Sequence, residues 1–258
     1  MTDDRKTCAL CGAVLAGPYC HECGQPGRDA SRSLREVLLG QTGRLLHTLR
    51  LLFTRPGELA REIEEGRDRL SMRPLTLLLN LIAVFFLVGA PGNFTVAQLA
   101  AHDASGRAAT QIEQRAAREG VPRQWMMERL DRRFQSLYSL IIPLSAGVYA
   151  TAFWLLHRGR RTAWLVHIAG GVHYLCFIFV WAAVLFAIAR LAHFSALRNP
   201  LAIGVTLAVN FAYLTLMLRR TYEDRWLAAM AKSAVVTVVG TIADNALFTA
   251  AFVSTMLL

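Results

Sequence analysis

The stretch Pro74–Gly89, with the sequence PLTLLLNLIAVFFLVG, constrains the fold of this chain more than any other. It carries no charged side chain and one amide side chain, Asn80, besides the hydroxyl of Thr76, and it follows a segment rich in arginine. Such a run needs a membrane or a deeply buried core. As a helix it would reach about 24 Å, close to the roughly 30 Å of a hydrocarbon layer. Because four further apolar stretches follow it, the sequence favours the membrane.

We predict an all-α membrane protein, with a polytopic helical bundle of about five spans in residues 74–258. Apolar residues make up 54% of the chain, as expected for this fold class. Charged or polar segments separate the apolar stretches from one another. The predicted spans are residues 74–90, 135–156, 164–189, 200–218 and 233–258.

The distribution of Lys and Arg predicts the orientation of these spans. The net charge is +10, and the positive residues concentrate in residues 1–73 and in the loops 157–163 and 219–232, which share one side of a five-span topology. By the positive-inside rule, the N-terminus is then cytosolic and the C-terminus outside. Three arginines at the outer end of the second span run against this rule: Arg129, Arg132 and Arg133. The N-terminus lacks the apolar core of a signal peptide, so we expect the spans themselves to direct insertion.

Two copies of the motif CxxCG lie near the N-terminus, in Cys8-Ala-Leu-Cys11-Gly12 and Cys20-His-Glu-Cys23-Gly24. Two thiolates three residues apart in a tight turn can hold one tetrahedral ion, and the following glycine allows the positive φ that such a turn needs. Four thiolates close the coordination sphere, which is typical of a structural site. We expect a metal site, because a reducing cytosol disfavours disulfides between these cysteines. The expected ion is zinc, with iron in a rubredoxin-like site as the competitor. Residues 1–28 have almost no apolar core, so the bound ion would supply their folding free energy.

Residues 1–28, with the four cysteines, form the predicted zinc ribbon. Residues 29–73 connect this zinc ribbon to the first predicted span. Leucines recur there at helical spacing with arginines on the other faces, which predicts an amphipathic helix in the headgroup interface. These leucines are Leu34, Leu38, Leu45, Leu49 and Leu52. The alternative is a helix packed on the zinc ribbon, which is too small to cover this stripe. A second short helix should follow Pro56 and end near Gly66.

The order of these motifs resembles an uncharacterised bacterial membrane-protein family that is catalogued as a domain of unknown function. The resemblance covers about residues 8–90 and rests on the CxxCG pair, the leucine-rich stretch, Arg55-Pro56-Gly57, Glu65-Gly66-Arg67 and the proline-led span. At Gly66-Arg67-Asp68-Arg69 the chain departs from the Gly-Lys-Arg of that family. The resemblance implies an N-terminal zinc ribbon, several transmembrane helices and the cytoplasmic membrane of a bacterium. It implies no catalytic residues.

A few polar side chains lie inside the predicted spans, where they are costly and therefore functional candidates. The candidates for an intramembrane polar cluster are Asn80, His173, Asn210, Asp244 and Asn245. We predict that Asp244 and Asn245 face the bundle interior. We also predict that Asn80, His173 or Asn210 comes within hydrogen-bonding reach of Asp244. Structural hydrogen bonding between helices explains the same pattern without a ligand.

The sequence contains no HExxH, GxSxG, Walker or GxGxxG signature. We therefore expect a non-enzymatic integral membrane protein whose cytosolic zinc ribbon recruits or docks an unidentified protein partner. Nucleic acid is not expected as the partner, because acidic residues balance the basic ones around the ribbon. The alternative is a small transporter or channel that uses His173, Asn210 and Asp244. A membrane enzyme would need a cluster of ionisable groups at one depth.

Overall fold

The computed structural model describes residues 7–8, 10–17, 20–24, 30–67, 71–88, 96, 100, 106–192 and 199–257 of the chain. For residues 30–40, 86–88 and 190 this description covers the backbone alone. The helices in these ranges are α1 Ala30–Thr54, α2 Glu58–Glu64, α3 Pro74–Val88, α4 Arg107–Glu119, α5 Arg123–His157, α6 Trp164–Leu191, α7 Pro200–Tyr222 and α8 Trp226–Leu257. The described chain is all-α, as predicted, apart from one isolated antiparallel bridge between Thr7 and Val14.

The chain divides into two compact units, Met1–Leu46 and His47–Leu258. The boundary falls inside α1. The first unit contains the four N-terminal cysteines, and the second contains the remaining helices.

Four of the described helices are long and apolar enough to cross a membrane, namely α5, α6, α7 and α8. The chain is therefore a multi-pass membrane protein. Helix α3 is apolar but shorter, with 15 residues that reach about 22 Å along the axis. The span predicted at residues 74–90 thus stays a prediction.

Helix α5 begins at Arg123, well before the span predicted from residue 135, and its 35 residues reach about 52 Å. The helix begins this early because the residues before 135 have an apolar face of their own. On this face Met126, Leu130 and Phe134 recur at helical spacing and are buried. These side chains pack with Ile112 of α4 and Ala251 of α8. The first part of α5 thus belongs to a cluster that also includes α4 and the last turns of α8.

Small residues bring the long helices close together. A Cβ atom on Gly171 of α6 would lie 2.5 Å from the Ala146 backbone oxygen, so only glycine permits this contact between α5 and α6. On α8, the position of a Cβ atom at Gly240 is filled by the ring of Tyr149 from α5. That approach places the Tyr149 hydroxyl beside the next turn of α8, where Asp244 lies.

Candidate functional site

The four N-terminal cysteines form one compact cluster. Every Sγ atom of Cys8, Cys11, Cys20 and Cys23 lies within 4.8 Å of the others. Cys8 Sγ lies 3.6 Å from Cys23 Sγ, and Cys11 Sγ lies 3.5 Å from Cys20 Sγ. A tetrahedral ion with bonds of about 2.3 Å separates its sulfur ligands by about 3.8 Å, whereas a disulfide needs about 2.05 Å. The cluster therefore fits one metal ion held by four thiolates.

The two CxxCG turns are built alike. The amide of Gly12 donates to the Cys8 carbonyl at 2.9 Å, and the amide of Gly24 donates to the Cys20 carbonyl at 2.9 Å. Both glycines have the positive φ that the sequence predicts, +74° and +73°. In each turn the first cysteine is buried and the second is exposed. The repeated motif thus makes two equivalent halves of a site, each supplying two sulfurs.

The electrostatics of the cluster favour a cation at its centre. Backbone amides of Cys11 and Leu10 lower the pKa of the Cys8 thiol to about 6. At Cys11 the Ala13 backbone lowers the pKa, but the Cys20 and Cys23 sulfurs outweigh it and raise the pKa to about 12. Because neighbouring thiolates repel each other, all four can be ionised together only when a cation neutralises them.

The structure does not bring the predicted intramembrane polar residues into one cluster. Asn80 is exposed on the outer face of α3, and Asn245 is exposed on α8, where its amide donates to the Thr241 carbonyl at 2.7 Å. The prediction that Asn245 faces the interior was therefore wrong, because the preceding turn of its own helix satisfies this amide. His173 is buried, but neither ring nitrogen has a hydrogen-bond partner in the described chain.

Asp244 does turn into the bundle, but its partner was not foreseen. The Tyr149 hydroxyl donates to Asp244 Oδ2 at 2.5 Å, while Oδ1 is buried and without a partner in the described part of the chain. The prediction that Asn80, His173 or Asn210 would fill this role was wrong. Asn210 instead accepts a 3.4 Å bond from Tyr174 and donates to the Thr206 carbonyl at 2.8 Å. Gly240 was the feature of the sequence that could have indicated this contact, because a glycine one turn before Asp244 leaves room for an aromatic ring.

Two of the predicted residues nevertheless line the same cavity. This cavity has a volume of about 350 Å³ and is bounded by side chains of α3, α5, α6, α7 and α8. Asn210 and Asp244 lie at its wall with Ser145 and Thr206, and most of the other lining side chains are apolar. His173 and Asn80 do not line it.

A buried ionic cluster at Asp224, in the turn between α7 and α8, was not predicted. His157 Nε2 lies 2.9 Å from Asp224 Oδ2, an Arg160 nitrogen donates to Oδ1 at 2.9 Å, and Lys232 Nζ contacts both oxygens at 2.8 and 2.9 Å. Burial raises the pKa of Asp224, but the bonds from Lys232 and His157 outweigh it and hold the pKa below its ordinary value. The cluster ties the end of α5 to the start of α8.

The Arg55-Pro56-Gly57 turn docks on the last turns of α7. Gly57 has φ +88°, and a Cβ atom there would lie 2.6 Å from both the Met217 backbone oxygen and Thr221 Oγ1. The Thr221 hydroxyl donates to the Gly57 carbonyl at 3.1 Å. Next to it, Arg61 of α2 pairs with Glu223 at 3.7 Å. The turn therefore needs glycine for both its backbone conformation and this close approach.

This docked segment is the part of the chain for which a family match exists. The family model described as "Protein of unknown function (DUF3667)" matches residues 43–86. The match covers the last part of α1, the Arg55-Pro56-Gly57 turn, α2 and most of α3. It supports an uncharacterised domain family for this segment, whereas the resemblance of residues 8–42 stays a prediction. No curated protein and no solved structure matches the chain.

Proposed function

We propose that this chain is a non-enzymatic, multi-pass membrane protein whose N-terminal four-cysteine unit binds one structural zinc ion and docks a cytosolic protein partner. The observation that carries the proposal is the convergence of four sulfurs within 4.8 Å in a chain with four helices able to span a membrane. Four thiolates occupy every position of a tetrahedral ion, which leaves no position for a substrate or an activated water. A closed site of this kind stabilises a fold.

Zinc is favoured over iron by the role of the site. A small unit that gains its folding free energy from the metal is best served by an ion without redox chemistry, since zinc keeps one charge and one geometry. The surface of the unit suits a protein partner, because two large apolar side chains next to the ligands are solvent-exposed. Leu10 is 70% exposed and Val14 is 45% exposed. Exposed apolar side chains of this kind are typical of contact surfaces.

With α3 as a fifth span, the proposed orientation is N-terminus in the cytosol and C-terminus outside, in the cytoplasmic membrane of a bacterium. It is supported by the contacts at one end of the helical bundle, where the turn at Gly57 meets Thr221 and the loop after α5 meets Asp224. Arg61, Arg219 and Arg220 line one pocket at this end, as expected of a cytosolic face. Trp154 and Trp164 pack edge to face there with ring centroids 5.7 Å apart, as in an aromatic belt.

The alternative of a small transporter or channel has one observation in its favour, the cavity lined by Asn210 and Asp244. His173 lies outside that lining, so the three residues named for this alternative do not mark a single path. The docking function accounts for the cysteine cluster, which the transport function leaves unused.

The proposed function is tested with the full chain in lipid nanodiscs. Wild type should carry about one zinc ion per chain and capture a specific cytosolic protein from an extract, identified by mass spectrometry and then verified with the purified partner. Cys20→Ser should lose both the metal and the partner. Cys176→Ser is the matched control, because this fifth cysteine is buried in α6 and outside the cluster. A partner that the purified Cys20→Ser protein binds as tightly as wild type would refute the docking role.

A further inference from the structure

The cavity lined by α3, α5, α6, α7 and α8 has the dimensions and the walls of a ligand site. Its volume of about 350 Å³ falls in the range of small-molecule pockets, roughly 300–1,000 Å³. The walls carry aromatic side chains from three helices: Phe85, Tyr138, Phe179, Trp181 and Phe186. Such walls suit the apolar body of a ligand.

One part of this cavity is polar and is lined by an acidic residue, Asp244, with no cationic residue in the described lining. Asp244 lines the cavity, its Oδ2 accepts the bond from Tyr149, and its Oδ1 is buried without a partner in the described chain. The described lining includes no Lys, Arg or His. An unpaired carboxylate oxygen is costly in an apolar surrounding, so a positively charged donor in the cavity would be stabilised.

The cavity reaches the outer surface of the bundle along α7. Two of its lining residues there are half exposed, Ile203 at 45% and Leu207 at 50%. In a bilayer this surface faces lipid. A ligand that partitions into the membrane can therefore reach Asp244 without crossing an aqueous channel.

We propose that this cavity binds a lipophilic primary amine, with the ammonium group donating to the Asp244 carboxylate and the apolar body lying against Phe179 and Phe186. Asn210 and Ser145 provide further polar contacts at the same wall. The charge selects among membrane-soluble molecules. A fatty acid would bring a second negative charge, an alkyl chain has no donor, and an alcohol has a donor but no charge to match the carboxylate.

The test uses 4-phenylbutylamine and its neutral counterpart 4-phenylbutan-1-ol with the full chain in nanodiscs. Binding of each radiolabelled probe is measured with an excess of unlabelled probe as the control for partition into lipid. The amine should bind saturably and at least about tenfold more tightly than the alcohol. Asp244→Asn, which keeps the size of the side chain, should reduce that preference to about one.

A second pair of variants keeps the Asp244 carboxylate and tests whether the amine occupies the cavity. Ala182 lines the cavity, whereas Val184, on the same helix, is exposed on its outer face. Ala182→Trp should therefore abolish amine binding, and Val184→Trp should leave it unchanged. Equal affinity of wild type for amine and alcohol, retained preference in Asp244→Asn, or the absence of saturable binding to wild type would each overturn the proposal. If Asp244→Asn does not fold, the wild-type comparison and the tryptophan pair still decide it.

Discussion

The Tyr149 hydroxyl donates a 2.5 Å hydrogen bond to the Asp244 carboxylate and so joins α5 to α8 inside the helical bundle. The ring reaches this position because Gly240 leaves its place on α8 free. The contact with Tyr149 thus accounts for both Gly240 and Asp244 on α8. It leaves Asp244 Oδ1 without a partner in the described chain, on a side chain that lines the cavity.

We expect Tyr149→Phe to destabilise the bundle by about 1–3 kcal/mol, because Asp244 then loses its hydrogen-bond donor in an apolar surrounding. The measurement is thermal unfolding of the purified protein in detergent. Tyr213→Phe is the control, since this ring stacks on Phe177 and would keep that contact without its hydroxyl. Equal effects of the two substitutions would show that the bond to Asp244 contributes nothing specific.

Asp224→Ala should destabilise the protein by about 3 kcal/mol, the lower end of the range for removing one partner of a buried ion pair. The cost arises because His157, Arg160 and Lys232 lose the carboxylate they share. It stays at the lower end because the Arg160 side chain is partly exposed. Denaturant unfolding measures the loss, and Glu223→Ala, next to Asp224 but largely exposed, is the matched control.

The same cluster predicts a pH dependence. The folded protein holds the pKa of Asp224 below its ordinary value, so this group stabilises the fold fully above about pH 4, its ordinary pKa. The stabilisation is lost as the pH falls through the lower, folded pKa. The stability difference between wild type and Asp224→Asn should therefore shrink as the pH falls from about 5 to below 4. A stability difference that grows as the pH falls from about 5 to below 4 would contradict this direction of the pH dependence.

Gly57→Ala should be more disruptive than Gly66→Ala, although both glycines have positive φ, +88° and +67°. At Gly66 nothing lies near an added Cβ atom, so the cost is the backbone conformation alone, about 1–2 kcal/mol. At Gly57 the Met217 oxygen lies 2.6 Å away, which should add about 1–3 kcal/mol for overpacking. Limited proteolysis of residues 55–66 and thermal unfolding measure the two effects. Equal losses would show that the turn does not depend on its contact with α7.

Metal removal should unfold the N-terminal unit and spare the membrane insertion. Cys20→Ser or a strong chelator should make residues 8–24 sensitive to protease, because four thiolates without an ion repel each other and the unit has little core. Extraction with carbonate should still leave the chain in the membrane fraction, since insertion depends on the apolar helices. Loss of membrane association on chelation would contradict this independence.

The sequence by itself determined the features that depend on local spacing. The repeated CxxCG motif specified the four sulfur ligands and the two positive-φ glycines, because each half-site is closed within a few residues. The long apolar stretches specified an all-α, multi-pass protein, because only helices satisfy the backbone inside hydrocarbon. Pro56 and Gly66 also placed α2, and the uncharged run that begins at Pro74 placed α3, close to where they lie.

Only the tertiary structure decided which side chains meet between helices. Tyr149 and Asp244 are 95 residues apart, His157 and Asp224 are 67 apart, and Gly57 and Thr221 are 164 apart. Helical periodicity shows which face of a helix is buried, but it shows neither the neighbouring helix nor the height at which the two cross. A shift of one turn, about 5.4 Å, would replace every one of these partners. Asp244 therefore meets Tyr149 because the bundle packs α5 against α8 at Gly240, a relation that no local pattern contains.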